Sequence, residues 1–172
     1  MIVPPNPFFQ VCWVVNDLDS SIERWRRSAA VGPFYVFRHP LIKDFRYRGV
    51  PGRMDMSVGI TQAGPIQIEL IEQHDARPSA YRDTYSPGQE GMHHVCGFVP
   101  NYDTEVARYQ NLGVAIAHSG VSGEMRFCYV DTRATIGCMT EVLEECASTR
   151  AMFRVIAEAS QNWDGTDPLR TL

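Results

Sequence analysis

The sequence predicts an α+β chain made of two like halves in tandem. Three observations carry this. First, FFQVCWVVNDLDSSIERW (8–25) and MHHVCGFVPNYDTEVARY (92–109) both read strand, polar turn, amphipathic helix, with Val-Cys at matching places. Second, each of these units is followed by three further short, apolar, strand-like segments. Third, the segment between the halves, from Gln73 to Gly91, contains Pro78, Pro87, Gly88 and Gly91 and reads as a linker.

The elements follow in order. Residues 8–15 form a strand ending at Asn16-Asp17. A helix starts near Asp17 to Asp19, where acidic and serine residues suit an N-terminus. Its apolar stripe is Leu18, Ile22, Trp25 and Ala29, and Gly32-Pro33 stops it. Phe34 to Phe37 reads as a strand. Residues 38–53 hold five Arg or Lys with Gly and Pro, and read as loop with a strand end. Met54 to Thr61 and Ile66 to Glu72 are strands joined by a turn at Gln62-Ala63-Gly64-Pro65. After the linker come a strand at 93–99, a helix over Tyr102–Leu112 ended by Gly113, and strands at 114–118, 126–131 and 137–144. A last helix, about Cys146–Ser160, precedes a polar tail from Asn162 that is expected to fray. The expected organisation is a first module at 1–75, a linker or lid at 76–91, a second module at 92–145, and a helix and tail at 146–172.

Composition excludes several classes. At 172 residues the chain suits one domain or two small fused modules with a real core. A formal net charge of −4 argues against nucleic acid or an anionic membrane as partner. No apolar run approaches the roughly 18 residues of a membrane span. MIVPPNPFFQ lacks a basic region and carries three prolines, which reads against a secretory signal, so a cytoplasmic location is expected. The five cysteines show no CxxC pair or zinc-finger spacing, and read as buried free thiols. Cys12 and Cys96 lie two residues after Gln10 and His94, so alternation puts each on the same face as its neighbour.

Four residues stand out: Gln10, Glu69, His94 and Glu141. They sit within the apolar, alternating segments FFQVCWVV, IQIELIE, MHHVCGFV and CMTEVLE. Polar groups lining a core are costly unless paired, and one divalent ion would pair four oxygen and imidazole donors at once. Each has an ordinary reading alone: a buried amide, a carboxylate on a half-exposed strand, a structural histidine. Their conjunction, two per half at corresponding places, favours a metal site. Alternation also puts His93 and His94 on opposite faces, so only one is expected to point inward. Two carboxylates, an amide oxygen and an imidazole suit one octahedral Mn, Co, Ni, Mg or Zn ion with two positions left open.

On these residues the chain resembles the vicinal oxygen chelate superfamily, which includes glyoxalase I, methylmalonyl-CoA epimerase, extradiol dioxygenases and bleomycin- and fosfomycin-resistance proteins. The resemblance spans about residues 8–144. IQIELIEQ, RPSAYRDTYSPGQEGMHHV and GCMTEVLE are similar to the epimerase-like pattern of an IEL-type strand, a DSP-containing loop, GxHH and a closing GxxxELxE. The resemblance implies two βαβββ modules forming an open eight-stranded cup around a metal, with Gln10, Glu69, His94 and Glu141 as ligands. Gln10 stands where the family usually has His, which makes the set more similar to the glyoxalase I group. Asp131 stands where epimerase-like chains often carry a histidine.

The activity so implied is an isomerase, epimerase or lyase that removes a proton next to a carbonyl through a metal-bound enediolate. The substrate would be a small carbonyl compound or thioester, with Glu141 as first choice of base and Glu69 as second. A homodimer is implied, each site completed within one chain. Iron-dependent oxygen chemistry would need His in place of Gln10. The alternative is a non-catalytic, drug-sequestering protein of the bleomycin-resistance type. Arg46, Arg48, Arg53 and Arg126 are candidates for a substrate carboxylate or a CoA phosphate, against an ordinary solvated loop. Tyr81, Arg82 and Tyr85 are candidates for a lid, or for packing under the linker.

Overall fold

The computed structural model describes residues 8–172, so the reading of the first seven residues lies outside the described part. The first half contains β1 (Gln10–Val14), α1 (Leu18–Ala29), β2 (Phe34–Arg38), β3 (Ile42–Tyr47), β4 (Val50–Pro51), β5 (Met56–Ala63) and β6 (Ile66–Gln73). A short helix, α2 (Ala80–Thr84), leads to the second half: β7 (Gly91–Val99), α3 (Tyr102–Asn111), β8 (Ile116–Ser122), β9 (Met125–Val130), α4 (Arg133–Ile136) and β10 (Met139–Glu144). The chain closes with α5 (Ala147–Ser160) and β11 (Leu169–Arg170).

All strands join one open mixed sheet, in the order β11-β2-β5-β6-β1-β7-β10-β9-β8-β3-β4. At its centre β1 runs antiparallel to β7. Outward from that seam the halves repeat: β6 and β10 lie parallel to β1 and β7, followed by β5 and β9, then β2 and β8. The register repeats too, with Cys12 opposite Glu69 in one half and Cys96 opposite Glu141 in the other. This is the expected eight-stranded glyoxalase-like frame with its C-terminal helix.

Two stretches depart from expectation. Residues 38–53 are not mainly loop: β3 crosses to the far half and pairs antiparallel with β8, with Phe45 buried beneath. The open edge of β8 supplies unpaired N–H and C=O groups, and its ladder outweighs the poor strand composition of IKDFRY. Only residues 39–41 link β2 to β3, so opposite ends of the sheet come within about 14 Å along the chain. The sheet is therefore curled into a cup. The tail does not fray either. β11 pairs with the edge of β2, Phe34 N donates to Pro168 O at 2.8 Å, and Trp163 packs over Gly32.

The helices sort by face. Asp17 caps α1 by accepting from Ser20 N, and Leu18 and Ile22 bury against Val36, Ile68 and Leu70 on the convex side. Gly59 of β5 allows that approach, since a Cβ there would stand 3.1–3.2 Å from the tips of Ile22 and Leu18. α3, capped by Asn101, covers the other convex half through Tyr102, Val106 and Tyr109. By contrast α5 packs Met152, Phe153 and Ile156 into the cluster that fills the concave side. Among the described residues no helix is long and apolar enough to cross a membrane.

Candidate metal centre

Two neighbouring cross-strand rows build the site. One runs Gln67, Gln10, Cys96, Glu141, Tyr129; the next runs Glu69, Cys12, His94, Met139. Because alternate residues share a face, both rows look into the cup. The structure thus gathers all four residues singled out in the sequence on the central strands, with every one buried. His94 Nε2 lies 3.3 Å from Glu69 Oε2 and 3.2 Å from Glu141 Oε2.

Those contacts are ion-pair distances without hydrogen-bond geometry. His94 Nε2, Glu69 Oε2 and Gln10 Oε1 are all buried and have no hydrogen-bond partner. Gln10 spends its amide N–H on Gln67 Oε1 at 2.7 Å, which leaves the oxygen free. Buried unpartnered donors and acceptors are rare in folded proteins, because each forfeits its hydration. Three in one cluster, all able to donate a lone pair, fit a divalent cation. Cys12 Sγ is also within reach of Glu69 and His94, all their ligand atoms lying within 4.8 Å of one another. Burial, then the nearby Glu69 carboxylate, pushes the Cys12 thiol up, and burial with Glu141 does the same to Cys96. Both are held as neutral thiols beside the carboxylates.

The electrostatics are those of a tight anionic pocket. Burial draws the His94 imidazole down, but the Glu141 and Glu69 carboxylates outweigh it and lift His94 to about 9. Burial raises the Glu69 carboxyl, with Glu141 adding to that against the pull of His94.

His93 contradicts the expectation from alternation. The β1–β7 ladder passes from Cys12 opposite His94 to Trp13 opposite Met92, leaving His93 as the extra residue of a β-bulge. The bulge turns it to the same side as His94, and both rings pack on Tyr129. His93 Nε2 meets Ala80 O at 3.0 Å, and its Nδ1 meets His94 Nδ1 at 2.9 Å. A carbonyl only accepts, so His93 carries its proton on Nε2. Burial, then the charge of His94, keeps its imidazole neutral, with a lone pair on Nδ1. His94 must therefore donate from Nδ1, which aims its Nε2 at Glu69 and Glu141. This is the backing that metal-bound imidazoles receive.

Two neighbours of the site, His118 and Tyr129, are not singled out in the sequence. His118 Nδ1 accepts from Ala80 N at 3.0 Å, and the Tyr81 and Tyr129 hydroxyls meet at 2.9 Å. The signal for His118 was present: it sits in the apolar VAIAHSG just as His94 sits in MHHVCGFV. Tyr81, a candidate for a lid or for packing, is carried by α2 into the buried cluster against His93 and Tyr129. Arg82 and Tyr85 instead fasten that segment, Arg82 donating to Gln73 O and Asp75 O and Tyr85 to Met92 O. On the surface His39, Asp55 and His74 form a separate cluster where three strands end.

A cavity of about 290 Å³ opens above the centre. Gln10, Glu69, Glu141, Tyr81 and Tyr129 line it, and Met152 and Phe153 of α5 form part of its wall. None of the candidate arginines does. Arg126 is paired with Glu144 and Asp103, Arg48 with Asp83 and Asp131, and Arg46 donates to Gly49 O.

Comparison with known proteins agrees with this architecture. The model of the glyoxalase/bleomycin resistance protein/dioxygenase superfamily matches residues 9–129. Among solved structures, hypothetical protein BH1468 from Bacillus halodurans C-125 superposes with a TM-score of 0.59 at 15% identity, over 83% of this chain and 96% of that one. A methylmalonyl-CoA epimerase in complex with methylmalonyl-CoA and NH4+ gives 0.54 at 15% identity, over 84% and 97%. The methylmalonyl-CoA epimerase from Mycobacterium tuberculosis gives 0.53 at 16%, over 84% and 91%. At these identities the likeness is one of fold. No curated protein matches the chain in sequence.

Proposed function

Since the chain belongs to the glyoxalase/bleomycin resistance protein/dioxygenase superfamily, we propose that it is a metal-dependent isomerase, epimerase or lyase acting next to a carbonyl. The observation that carries this is a set of three buried, unpartnered lone-pair donors, of which Gln10 and Glu69 line the cavity and His94 lies beside Glu69. Gln10, Glu69, His94 and Glu141 would hold one divalent ion. Such an ion supplies Lewis acidity, worth several kcal/mol to negative charge developing on a substrate oxygen.

The chain's own groups do the rest. A Glu141 carboxylate oxygen takes the proton from the carbon beside the carbonyl, with Glu69 as second choice of base. The electron pair of the broken C–H bond moves onto the carbonyl oxygen, and return of the proton to carbon completes the reaction without redox change. A positioned base of this kind contributes about 10²–10⁴ in rate. With Tyr81 donating to Tyr129 rather than to the weak acceptor Met56 Sδ at 3.9 Å, the Tyr129 hydroxyl hydrogen is left for a substrate oxygen. Apolar walls and α5 keep bulk water from the exchanged proton. We extend the reading to a cytoplasmic homodimer in which each chain completes its own site, because both halves supply ligands.

Metal analysis of protein purified without added metal, followed by exchange of a substrate's α-proton with deuterated water, tests the reading. One ion per chain is expected, and Glu141→Gln should abolish exchange while keeping the fold. A metal-free protein that binds an aromatic drug without exchange would establish sequestration instead, a reading that the apolar walls of the cavity also suit.

A further inference from the structure

The chemistry of the cavity wall narrows the substrate. Above the acidic floor the wall is Phe37, Met56, Met125, Phe127, Met152 and Phe153. The charged groups lining the cavity are Glu69, Glu141 and, on the β8–β9 turn, Glu124. No lysine or arginine is among the lining residues. Exposed Glu124 accepts from Ser148 Oγ of α5 at 3.1 Å, so the rim itself carries an acid tied across from turn to helix.

Charge arithmetic then works against an anionic substrate. Two floor carboxylates already offset a dication, and an anion crossing the rim meets Glu124 and then an apolar wall that cannot replace its hydration. Of the candidate arginines, Arg48 and Arg126 are engaged with Asp83, Asp131, Asp103 and Glu144, and neither Arg46 nor Arg53 lines the cavity. The volume sits near the lower end of the roughly 300–1,000 Å³ usual for ligand pockets. The methionines add a soft, adaptable surface suited to an aromatic face.

Resting on the reaction class above, we propose that the substrate is an uncharged, mainly apolar carbonyl compound of about one aromatic ring in bulk, rather than a CoA thioester or glutathione adduct. Its oxygen-bearing end faces Gln10, Glu69 and Glu141, and its ring lies among Phe127, Met152 and Phe153.

Calorimetry on the purified protein with 2-hydroxyacetophenone, mandelate and propionyl-CoA as probes tests this. The neutral ketone should bind at least tenfold tighter than either anion. Met152→Lys, which plants a cation in the wall, should shift the ratio toward mandelate by at least tenfold. The proposal is overturned if mandelate or propionyl-CoA binds the unaltered protein as tightly as the ketone, or if the ketone fails to bind at millimolar concentration. α-Proton exchange in deuterated water, read on the same samples, separates the two readings. Exchange with propionyl-CoA and not with the ketone overturns the substrate class and keeps the reaction. Tight ketone binding without exchange from any probe overturns the reaction and keeps the preference for a neutral ligand.

Discussion

The two halves share a frame and differ in what they ask of it. In the first, β1 and β6 place Gln10 and Glu69; in the second, β7 and β10 place His94 and Glu141 in the same register. The second half gives an imidazole, backed by His93 and Ala80 O through the bulge. The first gives an amide oxygen, whose side chain is held, among the described residues, by one hydrogen bond, from Gln10 Nε2 to Gln67. A repeated backbone thus fixes where donors stand, while the residue and its backing would fix how strongly each one holds a metal ion. The second half should dominate affinity for a metal ion, and the first should tune it.

The largest effect tests that ranking. His94→Ala should lower metal affinity by at least 100-fold, measured by calorimetry or competition with a chelator, whereas Gln10→Ala should lower it about tenfold. Equal losses would mean that the halves contribute alike and that the backing of His94 has no consequence for binding. Glu69→Ala and Glu141→Ala should both fall near the larger value, since each removes a charge that a cation needs.

Next in size is His93→Ala. Loss of a residue that orients a metal-bound imidazole typically costs about 10–100-fold in affinity. The same loss is expected here, with α-proton exchange falling in parallel and restored by excess metal. Strict alternation along β7 would instead leave His93 outside the cup and the affinity unchanged.

That contrast shows what the sequence discloses. Alternation and the tandem repeat make the frame readable, along with the placing of Gln10, Glu69, His94 and Glu141, because burial of one face has period two. A bulge breaks that period by one residue and leaves no mark in MHHVCGFV. β3 is hidden because IKDFRY is a charged strand whose reason to form is the open side of β8, in the other half of the chain. For Tyr81 the sequence leaves lid and packing open, because a linker's composition says nothing of where it tucks one aromatic ring. The polar tail is ordered for the same reason as β3: an available edge, that of β2, decides it.

A smaller effect lies under the helices. Gly59 of β5 and Cys128 of β9 are counterparts, facing Leu70 and Val142 across their ladders. α1 presses close to its half through the glycine, while the half under α3 carries a buried thiol. Gly59→Cys should therefore destabilise the protein by about 1–3 kcal/mol in urea unfolding, because Leu18 and Ile22 already fill the space. Cys128→Gly should cost a similar amount by the opposite route, leaving a void. No change on Gly59→Cys would mean that α1 can ride outward as freely as α3.

The smallest effect lies where the halves meet away from the seam. At the centre they join by the β1–β7 ladder, which does not titrate; elsewhere Arg48 of the first half bridges Asp83 and Asp131. The guanidinium of Arg133, and then that of Arg48, holds the Asp131 carboxyl down at about 2. A carboxyl lowered in the folded state stabilises it above its unfolded value of about 3.9, and that contribution fades as pH falls toward 2. Asp131→Asn should therefore lower stability slightly at pH 7 and flatten the loss of stability between about pH 4 and 2, read by urea midpoints across that range. Arg48 is partly exposed, so salt should screen its share, and 0.5 M NaCl should shrink the difference between the variant and the unaltered protein. An undiminished acid limb in the variant would assign it to other carboxyls held low in the folded state, with Asp75 the next to test.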